Sequence, residues 1–162
     1  DGDDIQEILQ EILNKKKLTI STAESFTGGE LSKLLTSIPG SSKYFLGGMV
    51  AYDAYKKIEI LGVSEKTIRE KTVVSAEVAQ EMSLGAQKLF RTAISLSTTG
   101  VAGPNTDEFN NEIGTAFYSI RINEFEKTSR IHLPHFERTD FVSFVSQRVL
   151  QDLVEILIRE NY

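Results

Sequence analysis

Ser25 stands in a short polar turn, Glu24-Ser25-Phe26-Thr27-Gly28-Gly29, ahead of a helix-forming stretch. The glycines allow a close backbone approach, and a helix start leaves N–H groups free to face an anion. Such a turn can bind phosphate, or hold a serine nucleophile beside an oxyanion hole. It can also be a plain helix start with Ser25 or Thr27 as cap, and on spacing alone the cap is the stronger reading. A serine hydroxyl needs a base to become a nucleophile. His132 and His135 flank Leu133-Pro134 and read as ordinary strand or surface residues, since no cysteine and no obvious third ligand joins them. A lysine can act instead when burial lowers its pKa. The segment Tyr52-Asp53-Ala54-Tyr55-Lys56-Lys57 offers Lys57, with the Tyr52 hydroxyl as a proton relay. Taken singly, Lys57 reads more simply as a solvated lysine like Lys56, and Tyr52 as a strand-end aromatic. A third turn, Gly100-Val101-Ala102-Gly103-Pro104, is either a close-approach loop or a tight exit from a strand. No Gly-x-x-x-x-Gly-Lys is present, so a triphosphate-binding loop is not indicated.

These turns need elements to hold them. Ile5, Ile8, Leu9, Ile12 and Leu13 fall on one helical face that ends at Asn14 and Lys15-Lys16-Lys17. Leu18 to Ser21 reads as a short strand, Thr22 to Gly29 as a turn, and Glu30 to Ser37 as a helix. After the loop Pro39 to Ser42, Phe45 to Tyr52 is apolar enough for a buried strand. Asp53 to Leu61 returns to helical period until Gly62, and Ser64 can cap Glu65 to Glu70. Ser75 opens a helix with Ala79, Met82, Ala86, Leu89 and Phe90 on one side. Ala93 to Thr99 is a strand, and Thr106 to Glu112 a polar loop. Gly114 to Ile122 and Lys127 to Leu133 form a hairpin around Asn123-Glu124. The last helix carries Phe141, Phe144, Val145, Val149, Leu153, Ile156 and Leu157. Alternating strands and helices followed by a hairpin and a helix predict an α/β fold with helices on both faces of a mixed sheet. Ligands in open α/β sheets sit beyond the carboxyl ends of strands. If the first three strands are parallel neighbours, the three turns meet at one pocket.

The composition sets bounds. With 162 residues, 40% hydrophobic and 25% charged, the chain is a single globular domain, 1–162, with no need of staples. The absence of cysteine removes disulfides, zinc knuckles, iron–sulfur clusters and a thiol nucleophile. A formal net charge of −5 argues against general nucleic-acid binding, which draws on a basic excess. No apolar run approaches a membrane span, and no signal peptide is visible. Asp1 to Asp4 look like a clipped end, so the chain is expected to be part of something longer.

Thr22-Ala23-Glu24-Ser25-Phe26-Thr27-Gly28-Gly29 resembles the Thr-Ala-Glu-Ser-Cys-Thr-Gly-Gly signature of the CinA C-terminal family, whose characterised members are nicotinamide mononucleotide (NMN) deamidases. Pro39-Gly40-Ser41-Ser42, Gly47-Gly48, Tyr52, Lys57, Leu61-Gly62-Val63, Val74 to Ala79, Thr99 to Pro104 and Gly114-Thr115 follow in family order. The resemblance implies a three-layer α/β/α sandwich with a mixed central sheet, often a homodimer or higher homo-oligomer, found alone or behind a molybdopterin-binding-like domain. It implies hydrolysis of the NMN carboxamide in pyridine nucleotide recycling, a cytoplasmic setting, and neither cofactor nor metal. By position, it makes Ser25 the nucleophile, Lys57 its base and Tyr52 the relay. Gly103, Thr115 and Arg138 line the mononucleotide site, and the N–H groups of Thr27, Gly28 and Gly29 are the inferred oxyanion or phosphate donors. Five features depart from the family pattern. Phe26 replaces the usual Cys, and Asp53-Ala54 a Ser-Asn pair. Asn105-Thr106-Asp107 and Asn111-Glu112 replace Asp-Gly-Gly and Lys-Pro, and Phe136 replaces a Gly. The departures leave a second reading open, a catalytically weak or silent nucleotide-binding or regulatory module of the same fold. A structural partner domain of a longer chain is a third.

Overall fold

The computed structural model describes residues 2–160. Five strands form one sheet in the order β2-β1-β3-β4-β5: β1 (Ile20–Glu24), β2 (Phe45–Val50), β3 (Ile94–Val101), β4 (Thr115–Ile122) and β5 (Phe125–His132). β1 runs parallel to β2 and β3, and β4 runs antiparallel to both β3 and β5, so the sheet is mixed as expected. The helices are α1 (Gly2–Lys16), α2 (Glu30–Thr36), α3 (Ala54–Leu61), α4 (Glu65–Lys71), α5 (Ala76–Phe90) and α6 (Arg138–Arg159).

Two cores make three layers. On one face Leu9 and Leu13 of α1, Leu31 and Leu35 of α2 and the stripe Phe141 to Leu157 of α6 bury against Ile20, Leu96, Tyr118 and Ile120. On the other face Leu61, Ile68, Val78, Met82 and Ala86 from α3, α4 and α5 surround Ala23 and Ala51. β3 shows how one strand serves both. Ile94 and Leu96 enter the first core. Ser95 and Ser97 face α5 and donate to the carbonyls of Ser83 and Ala79, each at 2.6 Å. Short hydroxyl side chains let the helix lie close, and both of these hydroxyl protons are paired.

The caps at Ser64 and Ser75 form as expected, accepting from Thr67 N and Val78 N. Other expectations need correction. β1 extends to Glu24 rather than ending at Ser21, because the polar side chains that suggest a turn find buried partners. Ser21 Oγ meets Thr92 Oγ1 at 2.7 Å, and Thr22 Oγ1 meets Ser32 Oγ at 2.8 Å. β2 is an edge strand ending at Val50, not a buried one, with Leu46 and Val50 about half exposed. Ile8, Leu89 and Phe144 lie outside the cores, and Phe144 instead meets Phe136 edge-on, ring centroids 5.6 Å apart. No helix among the described residues is long and apolar enough to cross a membrane.

Candidate active site

The carboxyl ends of β1, β2 and β3 are neighbours, and the three turns that leave them meet at one cavity of about 390 Å³. Ser25, Tyr52, Lys57, Gly103 and Arg138 all line it, with Phe26, Thr99 and the loop residues Asn105 to Phe109 as further walls. The convergence expected from the alternation of strands and helices is therefore what the fold produces.

Asp53 starts the helix that carries Lys57. Its carboxylate accepts from the N–H groups of Tyr55 and Lys56, and the first turn of α3 then points Lys57 inward, where it is 2% exposed. Nζ lies 2.9 Å from Ser25 Oγ, 2.8 Å from Ala51 O and 3.0 Å from Tyr52 O. Burial lowers the Lys57 pKa from its ordinary 10.5 to about 8, against a smaller upward pull from the Asp53 charge. In the neutral form the amine keeps two N–H bonds for the two carbonyls and turns its lone pair toward the Ser25 hydroxyl. That is the arrangement a general base needs. Lys57 is not the solvated lysine that its isolated position suggests; Lys56 is, pairing with Glu59 at the surface.

Arg138 opens α6 and spans two of the turns. Its guanidinium donates to Gly103 O at 2.7 Å and to the Tyr52 hydroxyl at 2.9 Å. The Tyr52 hydroxyl therefore has a partner that the sequence did not suggest. The hydroxyl contacts Arg138 and neither Ser25 nor Lys57; only the Tyr52 carbonyl touches the lysine.

The glycine turn also differs from expectation. Neither Ser25 nor Thr27 caps α2: its N-cap is Gly29, at φ 102°, with no side-chain cap. The cap comes from Glu24, fully buried at the end of β1. Its Oε1 accepts from Leu31 N and its Oε2 from Ser32 N, both at 2.9 Å. Thr27, Gly28 and Gly29 do not line the cavity, and the Gly28 N–H is spent on Ser25 O. The N–H of Phe26, beside Ser25 at the cavity, donates to no protein acceptor among the described residues and is a further candidate oxyanion donor. Thr115 also lies off the cavity wall, bonded to His132 Nδ1 at 2.9 Å. His132 further meets Glu112 at 3.5 Å, His135 is exposed, and no metal-holding group occurs among the described residues.

Phe26 leaves the contact between Ser25 and Lys57 intact. Its ring packs against Phe141, centroids 5.5 Å apart, as part of the core. The divergent loop is ordered by Asp107, which accepts from Phe109 N, Asn111 N and Asn111 Nδ2. Sequence reasoning did not assign roles to Glu24, Thr98, Thr99 or Phe109. For Glu24 the available signal was a single charged residue at the end of an otherwise uncharged strand, immediately before the serine.

The family model for the CinA C-terminal domain matches residues 2–157. A CinA-like protein of Flavobacterium psychrophilum is 47% identical over 116 residues, 72% of this chain and 28% of that protein. One from Leptospira interrogans is 41% identical over 144 residues, 88% of this chain and 34% of that protein. The chain thus spans about a third or less of these relatives. The crystal structure of competence damage-inducible protein A from Klebsiella pneumoniae superposes with a TM-score of 0.93 at 25% identity, covering 98% of both chains. That of the competence/damage inducible protein CihA from Agrobacterium tumefaciens gives 0.87 at 29% identity, covering 94% of this chain and 95% of that one. With the family model covering nearly the whole chain and the three-layer fold shared, this chain belongs to the CinA C-terminal domain family.

Proposed function

We propose that this domain hydrolyses the carboxamide of NMN to nicotinic acid mononucleotide and ammonia through an acyl-enzyme on Ser25. The observation that carries the reading is the 2.9 Å contact between Ser25 Oγ and the buried Lys57 Nζ. Neutral Lys57 takes the serine proton as Oγ adds to the amide carbon. The tetrahedral oxyanion faces the Phe26 N–H. Collapse breaks the C–N bond, Lys57 returns the proton to the departing nitrogen, and ammonia leaves. Water then adds to the acyl carbon, giving its proton to Lys57, and the carboxylate is released as Ser25 regains its hydrogen.

Arg138 is the cation of the cavity not engaged with the nucleophile. It holds Tyr52 and the Gly103 turn in register, and its remaining N–H bonds suit the anionic nucleotide. Lining by Phe109 and Tyr52 supplies apolar area for the pyridine ring. A small oligomer in the cytoplasm is the setting that accompanies this reading.

The test is ammonia release from NMN by the chain beside Ser25→Ala and Lys57→Ala. Turnover in the parent, lost in both variants that still fold, is expected. Saturable NMN binding with no ammonia would instead favour the silent nucleotide-binding module.

A further inference from the structure

Glu24 takes no part in the reaction drawn above, yet it is 0% exposed and receives four donors on its two oxygens. Oε1 accepts from Thr27 Oγ1 at 2.6 Å and Leu31 N at 2.9 Å. Oε2 accepts from Ser32 N at 2.9 Å and Ser32 Oγ at 2.7 Å. No lysine or arginine pairs with it among the described residues. We infer that Glu24 is a positioning residue for Ser25: its carboxylate ties the segment from Glu24 to Ser32 into a closed loop and thereby sets the approach of the serine hydroxyl to Lys57. The inference rests on the reading of Ser25 as the nucleophile.

A directed chain of hydrogen bonds carries the effect. The Thr27 hydroxyl donates to Glu24, so it can only accept from Thr98 Oγ1, 2.8 Å away. Thr98 therefore spends its proton on Thr27 and offers its lone pairs to the Ser25 N–H at 3.4 Å. The serine backbone is thus held from β3 by a hydroxyl whose orientation the buried carboxylate fixes. The same carboxylate holds the first turn of α2, so the loop is pinned at both ends. Glutamine has the same shape but only one acceptor oxygen. Its amide nitrogen would confront either the N–H of Ser32 or that of Leu31, and one end of the tie opens.

The test uses the intact chain and phenylmethylsulfonyl fluoride, a small reagent that needs no amide substrate. Ser25 Oγ forms the S–O bond, the S–F bond breaks, fluoride leaves, and the serine proton passes through Lys57 to water. Intact mass gives the labelling rate. A folded Glu24→Gln variant is expected to label about 10- to 100-fold more slowly. With NMN its kcat falls in parallel while KM stays within about twofold. The pH midpoint of labelling stays at the wild-type value, because the Glu24 carboxylate touches neither carbonyl partner of Lys57 and the Glu24 backbone carbonyl that accepts from Ala51 N is kept in the variant. Wild-type labelling by folded Glu24→Gln overturns the inference. Thr98→Val keeps the carboxylate and removes the hydroxyl that joins Thr27 to the Ser25 N–H, so it carries the test should Glu24→Gln not fold. Several-fold slower labelling of it is expected, and an unchanged rate overturns the inference. A wild type that labels without releasing ammonia overturns the amidase reading alone, and the variant rates still decide this one. A wild type that does not label at Ser25 overturns both.

Discussion

Replacing Lys57 by methionine should change how stability depends on pH, by an amount that the buried amine fixes. The folded-state pKa of about 8 lies below the ordinary 10.5. Between those two values the unfolded chain binds more protons at this site than the native one, so stability rises with pH across that window. Below about 8 the native state carries the full cost of a charged, buried amine. Integrating over one site, wild type should gain about 2–3 kcal/mol relative to Lys57→Met between pH 7 and pH 10. Static effects of the substitution, such as lost hydrogen bonds to Ala51 O and Tyr52 O, shift the variant's curve without tilting it. Urea unfolding of both proteins at a series of pH values measures the difference. Curves that stay parallel within about half a kcal/mol would refute the claim that burial has depressed this lysine. The same shift predicts that activity rises with pH through about 8 and levels off above it, as the neutral base accumulates.

Arg138→Ala should raise KM for NMN about 10-fold or more, through loss of a charged group that joins Tyr52 to Gly103. Arg138→Lys should not restore it, since one ammonium cannot reproduce the planar fork across both acceptors, and steady-state kinetics of the pair decide this. Gly85 lies inside α5, where alanine would ordinarily stabilise by about 1 kcal/mol. Here a Cβ would stand 2.0 Å from the Leu61 carbonyl oxygen, so Gly85→Ala is expected to lower stability by about 1–3 kcal/mol, read from thermal or urea unfolding.

The convergence of three turns was legible because it follows from topology alone. Parallel neighbours put their carboxyl ends together, and the alternation of β1, α2, β2, α3 and β3 announces that arrangement. The partnership of Ser25 with Lys57 was visible through the family resemblance, not through spacing, since an inward lysine and a surface lysine look alike in a helix beginning. What stayed hidden depends on partners remote in sequence. Thr27 meets Thr98 across 71 positions, and Arg138 reaches Tyr52 across 86. The first of these ties the Ser25 turn to β3, and Ser21 likewise finds Thr92 across 71 positions, which is why an apparent polar turn begins as strand. The second gives the Tyr52 hydroxyl a partner that no local pattern announces. Thr115 was placed at the site by family position, but its hydroxyl faces His132 on the far side of the hairpin register.

The central claim is that Ser25 is the atom that takes the acyl group, and covalent capture examines it most directly. The chain is mixed with NMN, quenched in acid at early times and weighed intact. The account predicts a transient gain equal to NMN less ammonia, mapped to the peptide holding Ser25 and absent from Ser25→Ala, which releases no ammonia. Ammonia release by Ser25→Ala at the wild-type rate would contradict it.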